Sequence, residues 1–313
     1  MERSPVISVI IPCYNQGRFL RDALDSVGRA TTQSVEVIVV DDGSTDDTAK
    51  VAAGAPGVIC VRQANAGLAA ARNRGLEAAR GEYVSFLDAD DRFAPGGLDA
   101  GAAALAAHAD CAFVFGRCVA MTAAGELMPT AEQPRIERDL YVELLRRNVI
   151  YMPAMALFRT AAVVRVGGFD PTVNAAADYR LYLRIARDSD SYDHGQIVAH
   201  YRQHDSNMSR NASRMLRETL TVLAREWPYV SNRPELVGAY REGWRTWQEF
   251  YGTHLVNEIR AHVHAREWTD AARKAGMLSR FHPRSLVHHA GRKLSLAFAS
   301  RFAPKRTPRS VGL

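Results

Sequence analysis

The residues best equipped for chemistry are carboxylates placed at the ends of apolar runs. Asp88, Asp90 and Asp91 fall within four positions, directly after the aromatic and β-branched run 83–87. Carboxylates this dense repel one another, so a fold tolerates them where a cation offsets the charge. A solvated acidic turn is the plainer explanation, because Asp is common in turns. A second stretch of the same construction weighs against it. The apolar run 35–40 ends in Asp41, Asp42, Gly43 and Ser44. Ligands of open α/β sheets bind outside the carboxyl ends of the strands, so two runs that both end in carboxylates point to one site. Arg72, among alanines and a leucine, either snorkels to solvent or offers its planar fork to a phosphate. His200 and His204 leave a third strand pattern together with Tyr201, Arg202 and Gln203. Taken singly, each histidine is more simply a satisfied structural residue.

These groups need elements to hold them. The apolar β-rich run 6–11 stops at Pro12, and the three- and four-residue spacing of Phe19, Leu20, Ala23, Leu24 and Val27 predicts a helix over 17–30. A hydroxyl and acidic first turn at Ser44 predicts a helix through about residue 53. A strand follows over 57–62, then a helix opening at Gly67, then the run at 83–87. Strands alternating with helices at this spacing indicate right-handed βαβ units on a parallel sheet. Further on, the pattern predicts a helix over 94–109, a strand over 111–121 and a hairpin turn at Gly125. A helix over 138–147 and a strand over 155–159 come next. Gly167 and Gly168 open a loop suited to movement near a ligand. Asp178 begins a helix, and a strand covers about 197–203. From Met215 the pattern is helical, and the stripe Trp244, Trp247, Tyr251, Leu255 and Ile259 reads as core packing.

Composition bounds the function. The chain has 313 residues, 47% hydrophobic and 24% charged, enough for one large domain or two smaller ones. No apolar run approaches the roughly 20 residues that span a bilayer, and the start lacks a signal-peptide core, so no export is expected. Cys13, Cys60, Cys111 and Cys118 stand without C-x-x-C spacing, as reduced thiols of a cytoplasmic protein do. The net charge of +6 belongs to the tail. Ten of the 40 basic residues and none of the 34 acidic ones lie beyond Asp270, which leaves the first 270 positions at −4. A general nucleic-acid surface is therefore not expected. Within 281–303, Phe281, Leu286, Leu294, Phe298 and Phe302 mix with Arg284, Arg292, Lys293 and Arg301. That is the pattern of a basic amphipathic helix able to contact an anionic membrane face, or of a helix packed on the body.

Six motifs fall in fixed order. They are Pro12-Cys13-Tyr14-Asn15; Val40 through Asp46; Asn65-x-Gly67 with Ala71-Arg72-Asn73-x-Gly75; Gly81-Glu82-Tyr83 with Leu87 through Asp91; Gly167 through Asp170 with Asp178-Tyr179; and Tyr201-Arg202-x-His204. Over residues 6–210 the chain resembles family 2 of the glycosyltransferases, inverting GT-A enzymes that use nucleotide-diphospho sugars. The resemblance implies an α/β GT-A fold, a Rossmann-like and mostly parallel sheet flanked by helices, with a C-terminal helical extension. A GT-A domain over 1–210 would divide into a nucleotide-sugar half (1–110) and an acceptor half (111–210), followed by a helical region with a basic tail (211–313).

The resemblance also implies roles. Pro12, Tyr14 and Asn15 would line the nucleotide-sugar pocket. Asp41 or Asp42 would accept a hydrogen bond from the base N3–H, which favours a UDP-sugar donor. Asp88 and Ala89 would meet the ribose or a metal-bound water, and Arg72 the diphosphate. Asp90 and His204 would hold Mg²⁺ or Mn²⁺, with Asp91 beside them. Asp178 would be the general base, and Asp170 is the next candidate. The acceptor would be a glycan or lipid-linked hydroxyl in cell-surface polysaccharide synthesis, met in the cytoplasm or at the inner face of the membrane. One departure stands out: Ala177 precedes Asp178 where the family usually has Glu. No Q-x-x-R-W motif occurs, so transfer of one sugar is expected rather than processive synthesis. Leu87-Asp88-Ala89-Asp90 is also similar to the D-x-D of Mg²⁺-dependent aspartyl phosphotransferases, but Arg92 stands where those have Thr or Val. A non-catalytic nucleotide-sugar-binding protein is the other alternative, and retention of Asp178 argues against it.

Overall fold

The apolar runs become the middle of a sheet because their residues can be buried on both faces. In the computed structural model, which describes residues 6–137 and 139–281, β1 (Ile7–Cys13) is buried along its whole length. It is followed by α1 (Gly17–Ala30), β2 (Val35–Asp41), α2 (Thr48–Ala53), β3 (Val58–Arg62), α3 (Leu68–Ala78) and β4 (Tyr83–Phe86). These four strands pair in parallel, in the order β3-β2-β1-β4. The expected βαβ half is therefore present. Gly75 shows how closely α3 sits on it: a Cβ there would lie 2.3 Å from Ile10 Cγ2.

The second half brings β5 (Arg92–Phe93), α4 (Gly97–Ala107), β6 (Cys111–Met121), α5 (Leu140–Arg146), β7 (Ala156–Arg159), α6 (Thr160–Arg165), α7 (Ala177–Ala186) and β8 (Asp190–Arg202). The sheet continues β4-β7-β6-β8-β5, with β7 antiparallel to both neighbours and β6 parallel to β8. The rings of Phe86, Phe113, Phe158 and Phe169 pack together beneath it, Phe86 to Phe169 at 4.7 Å and Phe113 to Phe158 at 5.1 Å.

Three local expectations are corrected. The helix expected from Ser44 starts at Thr48, because the Ser44 hydroxyl accepts the Asn15 N–H instead (3.0 Å). Asp46 takes over at the turn, accepting from Thr48 N and Gly17 N at 3.0 Å each. The strand expected at about 197 begins at Asp190. Its first half is irregular, with register shifts against β6 and Gly195 at φ +72, and its polar residues hide the alternation. One of them is Asp193, buried in a two-pronged pair with Arg117 (2.8 and 2.6 Å). The glycine loop is held, not loose. Gly167 and Gly168 take φ of +75 and +67, Asn73 exchanges two hydrogen bonds with the Phe169 backbone (2.8 and 2.7 Å), and Arg184 donates to the Gly168 carbonyl (2.9 Å). The glycines serve backbone shape there.

After β8 come α8 (Ala212–Ala224), α9 (Trp227–Val230), α10 (Pro234–His264) and α11 (Trp268–Phe281). The chain divides into two compact units, 1–244 and 245–313, with the boundary inside α10. In the first unit Glu226 is completely buried; it accepts from Tyr141 Oη (2.9 Å) and pairs with Arg180 and Arg187. In the second, Tyr251, Leu255, Ala271 and Leu278 are buried, and Lys274 pairs with Glu258 at 2.6 Å. No described helix is long and apolar enough to cross a membrane. The amphipathic stretch expected at 281–303 lies, beyond its first residue, outside the described residues.

Candidate active site

Five carboxylates do gather at the carboxyl edge of β2 and β4, but they are not equivalent. Asp41 is completely buried; its Oδ1 accepts from Ser44 N (2.8 Å), and its Oδ2 lies 3.4 Å from Arg62 Nε without a hydrogen bond. Both oxygens of Asp42 are engaged, by Gln63 Nε2 (2.8 Å), Ala66 N and Gly67 N (2.9 Å each). Asp42 thus shapes the loop that leads into α3. Pro12 is buried at the end of β1, and Tyr14 beyond it is 50% exposed. Asn15 sits at φ +54, its side chain accepting from Thr45 N (2.8 Å), so the two strand-end loops are stitched together.

Arg72 is not a snorkelling residue. It is 2% exposed, its Nη2 lies 2.6 Å from Asp88 Oδ1, and its guanidinium sits 5.1 Å from the centre of the Phe169 ring. Its Nε–H has no hydrogen-bond partner. Burial alone would depress its pKa, but the charges of Asp88 and Asp178 outweigh that and raise it, so the cation is secured. Asp178 stands in the first turn of α7, accepting from Tyr179 N (2.8 Å). Burial pushes its carboxyl from the usual 3.8 up to about 6, against the opposing pull of Arg72. Asp170 is the reverse case. Burial would raise it, but hydrogen bonds from Thr172 and the charges of Arg225 and Arg180 hold it below the usual range. A carboxylate so committed is a poor base.

Asp90 and His204 meet across 114 residues, Oδ2 to Nε2 at 2.9 Å. Burial and the neighbouring Asp88 raise the Asp90 carboxyl, while His204 opposes the rise. Two adjacent ligands of an octahedral divalent cation, each at about 2.1 Å, stand about 3 Å apart. The observed separation fits that geometry. Asp88 does not converge with them, being turned to Arg72. Among the described residues, three metal-ligating side chains converge only at His262, Glu267 and Asp270 in the second unit, where His262 pairs with Glu267 and Asp270 with Arg273. Ala89 is buried between the site carboxylates. Asp91 is buried and points away to β8, its Oδ1 accepting from Arg202 N (2.7 Å). Its carboxyl is pushed well above the usual range by burial and by Asp90 and Asp88.

The residues without an assigned sequence role are those that hold the site together. Arg202 is 2% exposed; its Nε donates to the Asp90 carbonyl (2.6 Å), its Nη1 to the Ala123 carbonyl (2.9 Å), and its Nη2 pairs with Asp22. Phe19 stacks on the His204 ring at 5.1 Å. Arg202 lay inside a quoted motif, and only its partners give its role away. Phe19 carried no signal beyond the helix period.

Comparisons with known proteins identify the family and the fold. The model of "Glycosyl transferase family 2" matches residues 8–167. An uncharacterised glycosyltransferase of Rickettsia typhi, RT0329, is 28% identical over 221 residues, 69% of each chain. The Escherichia coli uncharacterised glycosyltransferase YibD is 43% identical over 99 residues, covering 30% of this chain and only 29% of its own length. Among solved structures, the Pyrobaculum calidifontis mannosyltransferase PcManGT in complex with GDP-Man and Mn²⁺ superposes with a TM-score of 0.59 at 20% identity, over 97% of this chain and 89% of the other. Staphylococcus aureus TarS 1–349 in complex with UDP-GlcNAc gives 0.55 at 16% identity, over 88% and 91%. The chain belongs to glycosyl transferase family 2, and its mixed α/β sheet is a GT-A fold.

Proposed function

We propose that the chain transfers one sugar, with inversion, from a nucleotide-diphospho sugar to an acceptor hydroxyl. The observation that carries this is the buried Arg72–Asp88 pair, whose charges act on Asp178 in the first turn of α7, beside the Asp90–His204 contact; burial raises the Asp178 carboxyl to about 6. A carboxylate with that value is ionised at neutral pH yet basic enough to take the acceptor proton as the oxygen attacks the anomeric carbon. The glycosidic C–O bond then breaks on the opposite face, and its electrons leave with the diphosphate. Arg72 offers a permanent charge and a free Nε–H to that leaving group. A divalent cation, Mn²⁺ or Mg²⁺, held by Asp90 and His204 would stabilise the same developing charge.

Residues 1–110 serve the donor and 111–210 the acceptor in this reading. Asp41 or Asp42, at the end of β2, reads the base, and a uracil donor is favoured. Bound UDP-GlcNAc in TarS and GDP-Man with Mn²⁺ in PcManGT support a nucleotide-sugar donor and a divalent ion. Ala177 is completely buried and presents nothing to the acceptor, so acceptor contacts come from elsewhere in the second half. The acceptor is a glycan or lipid-linked hydroxyl of cell-surface polysaccharide. The four free cysteines support a reducing, cytoplasmic setting, with the basic tail at the inner membrane face. A panel of UDP-, dTDP- and GDP-sugars with Mn²⁺, read by thermal shift and by donor turnover, tests this. One UDP-sugar should raise the unfolding temperature most. No shift and no turnover with any donor would overturn the reading.

A further inference from the structure

We propose that the Ser206 hydroxyl satisfies His204 Nδ1 in either tautomer and so lets the ring exchange its Nε2 proton for the cation. The proposal rests on the Asp90–His204 reading above. A neutral imidazole has one N–H and two ring nitrogens to satisfy. Here Nε2 faces Asp90 Oδ2 at 2.9 Å, and Nδ1 faces Ser206 Oγ at 2.8 Å. A carboxylate only accepts, so without a cation the ring proton sits on Nε2, and Nδ1 must accept from Ser206. A cation takes the Nε2 lone pair. The proton then belongs on Nδ1, and Ser206 must accept. A hydroxyl does both by rotating about one bond, whereas a methyl group does neither.

The surroundings deliver this hydroxyl without depending on it. Asn207 closes the turn, its Oδ1 accepting from His204 N (2.8 Å) and its Nδ2 donating to the Arg202 carbonyl (2.7 Å) and Tyr201 Oη (3.1 Å). Phe19 holds the ring plane. Arg18 Nη2 donates to Ser206 Oγ at 3.4 Å, which leaves the second lone pair and the hydroxyl proton for Nδ1. Ser206 is thus a positioning residue that reaches the cation through His204.

The test compares Ser206→Ala, Ser206→Thr and His204→Ala in the full chain. Mn²⁺ affinity is read by electron paramagnetic resonance, and the His204 tautomer by nitrogen NMR with Zn²⁺ as a diamagnetic probe. Loss of such a hydrogen bond to a metal ligand costs 10- to 100-fold in affinity; Ser206 is exposed and water replaces part of it, so Ser206→Ala should raise the Mn²⁺ Kd about 10-fold. Thr should restore it. In the wild type, the ring proton should move from Nε2 to Nδ1 when Zn²⁺ is added. An unchanged Kd in Ser206→Ala when His204→Ala loses binding overturns this proposal alone, whereas a proton that stays on Nε2 overturns the Asp90–His204 reading as well. An unchanged Kd in His204→Ala overturns the Asp90–His204 reading and this proposal with it.

Discussion

Replacing Asp178 with Asn should make the protein more stable and nearly inactive, and the two effects should depend on pH differently. Asn copies the shape of a neutral carboxyl but neither ionises nor takes a proton. The rise from 3.8 to about 6 means that ionising Asp178 costs the folded state about 3 kcal/mol, at about 1.4 kcal/mol per pH unit. The sign follows from the direction. A carboxyl whose folded value lies above its unfolded one contributes its full stability below about 3.8, and that contribution is lost as pH rises through about 6. Wild type and Asp178→Asn should therefore unfold together near pH 4. At pH 8 the variant should unfold higher, by about 6–12 °C if 1 kcal/mol is worth about 2–4 °C in a unit of this size. Turnover should fall by about 10²–10⁴ with donor affinity changed only a few-fold, and wild-type kcat/KM should climb with pH through about 6. Thermal unfolding at pH 4, 6 and 8, paired with steady-state rates, reads both. A variant that melts below wild type at pH 8 would refute the raised carboxyl. Unimpaired turnover would place the base elsewhere.

Asp90→Ala should abolish transfer and weaken Mn²⁺ binding at least about 10-fold with the fold intact; unchanged binding by calorimetry would remove Asp90 from the metal site. Glu226→Ala leaves Arg180, Arg187 and Tyr141 without their shared acceptor, so a loss of about 3–5 kcal/mol is expected in urea unfolding. An unshifted urea midpoint would show the network to be dispensable. Truncation after Ser279 should remove salt-sensitive co-sedimentation with anionic liposomes but leave activity on a soluble acceptor analogue. Equal sedimentation of the full and truncated chains would rule out the membrane contact.

Sequence and structure agree best where one physical rule dominates. Runs buried on both faces, such as β1 and the first half of β6, leave no choice of face and show as largely apolar stretches. The strand-end carboxylates are equally visible. Their division of labour is not, because it depends on partners far away in the chain. Asp42 and Asp91 read like Asp41 and Asp90, and only their contacts with Gly67 N and Arg202 N tell them apart. The sequence leaves Arg72 two roles, and its pairing with Asp88 at 2.6 Å decides between them. The two-residue β5 is too short for any period, and β8 lost its alternation to bulges. Ser44 looks like a helix cap in the sequence, but Asn15 takes its hydroxyl.

The 114-residue gap between Asp90 and His204 also sets an order of events during synthesis. The four parallel strands β1 to β4, with their short βα connections, are all synthesised by Phe86. Asp88, Asp90 and Asp91 then wait, charged and hydrated, for roughly 6–20 seconds at about 5–20 residues per second. Arg202 and His204 arrive together, at and just beyond the end of the strand that pairs with β5. On the proposed reading, a nascent chain carries the donor-side carboxylates long before His204, and transfer waits until the second half is built.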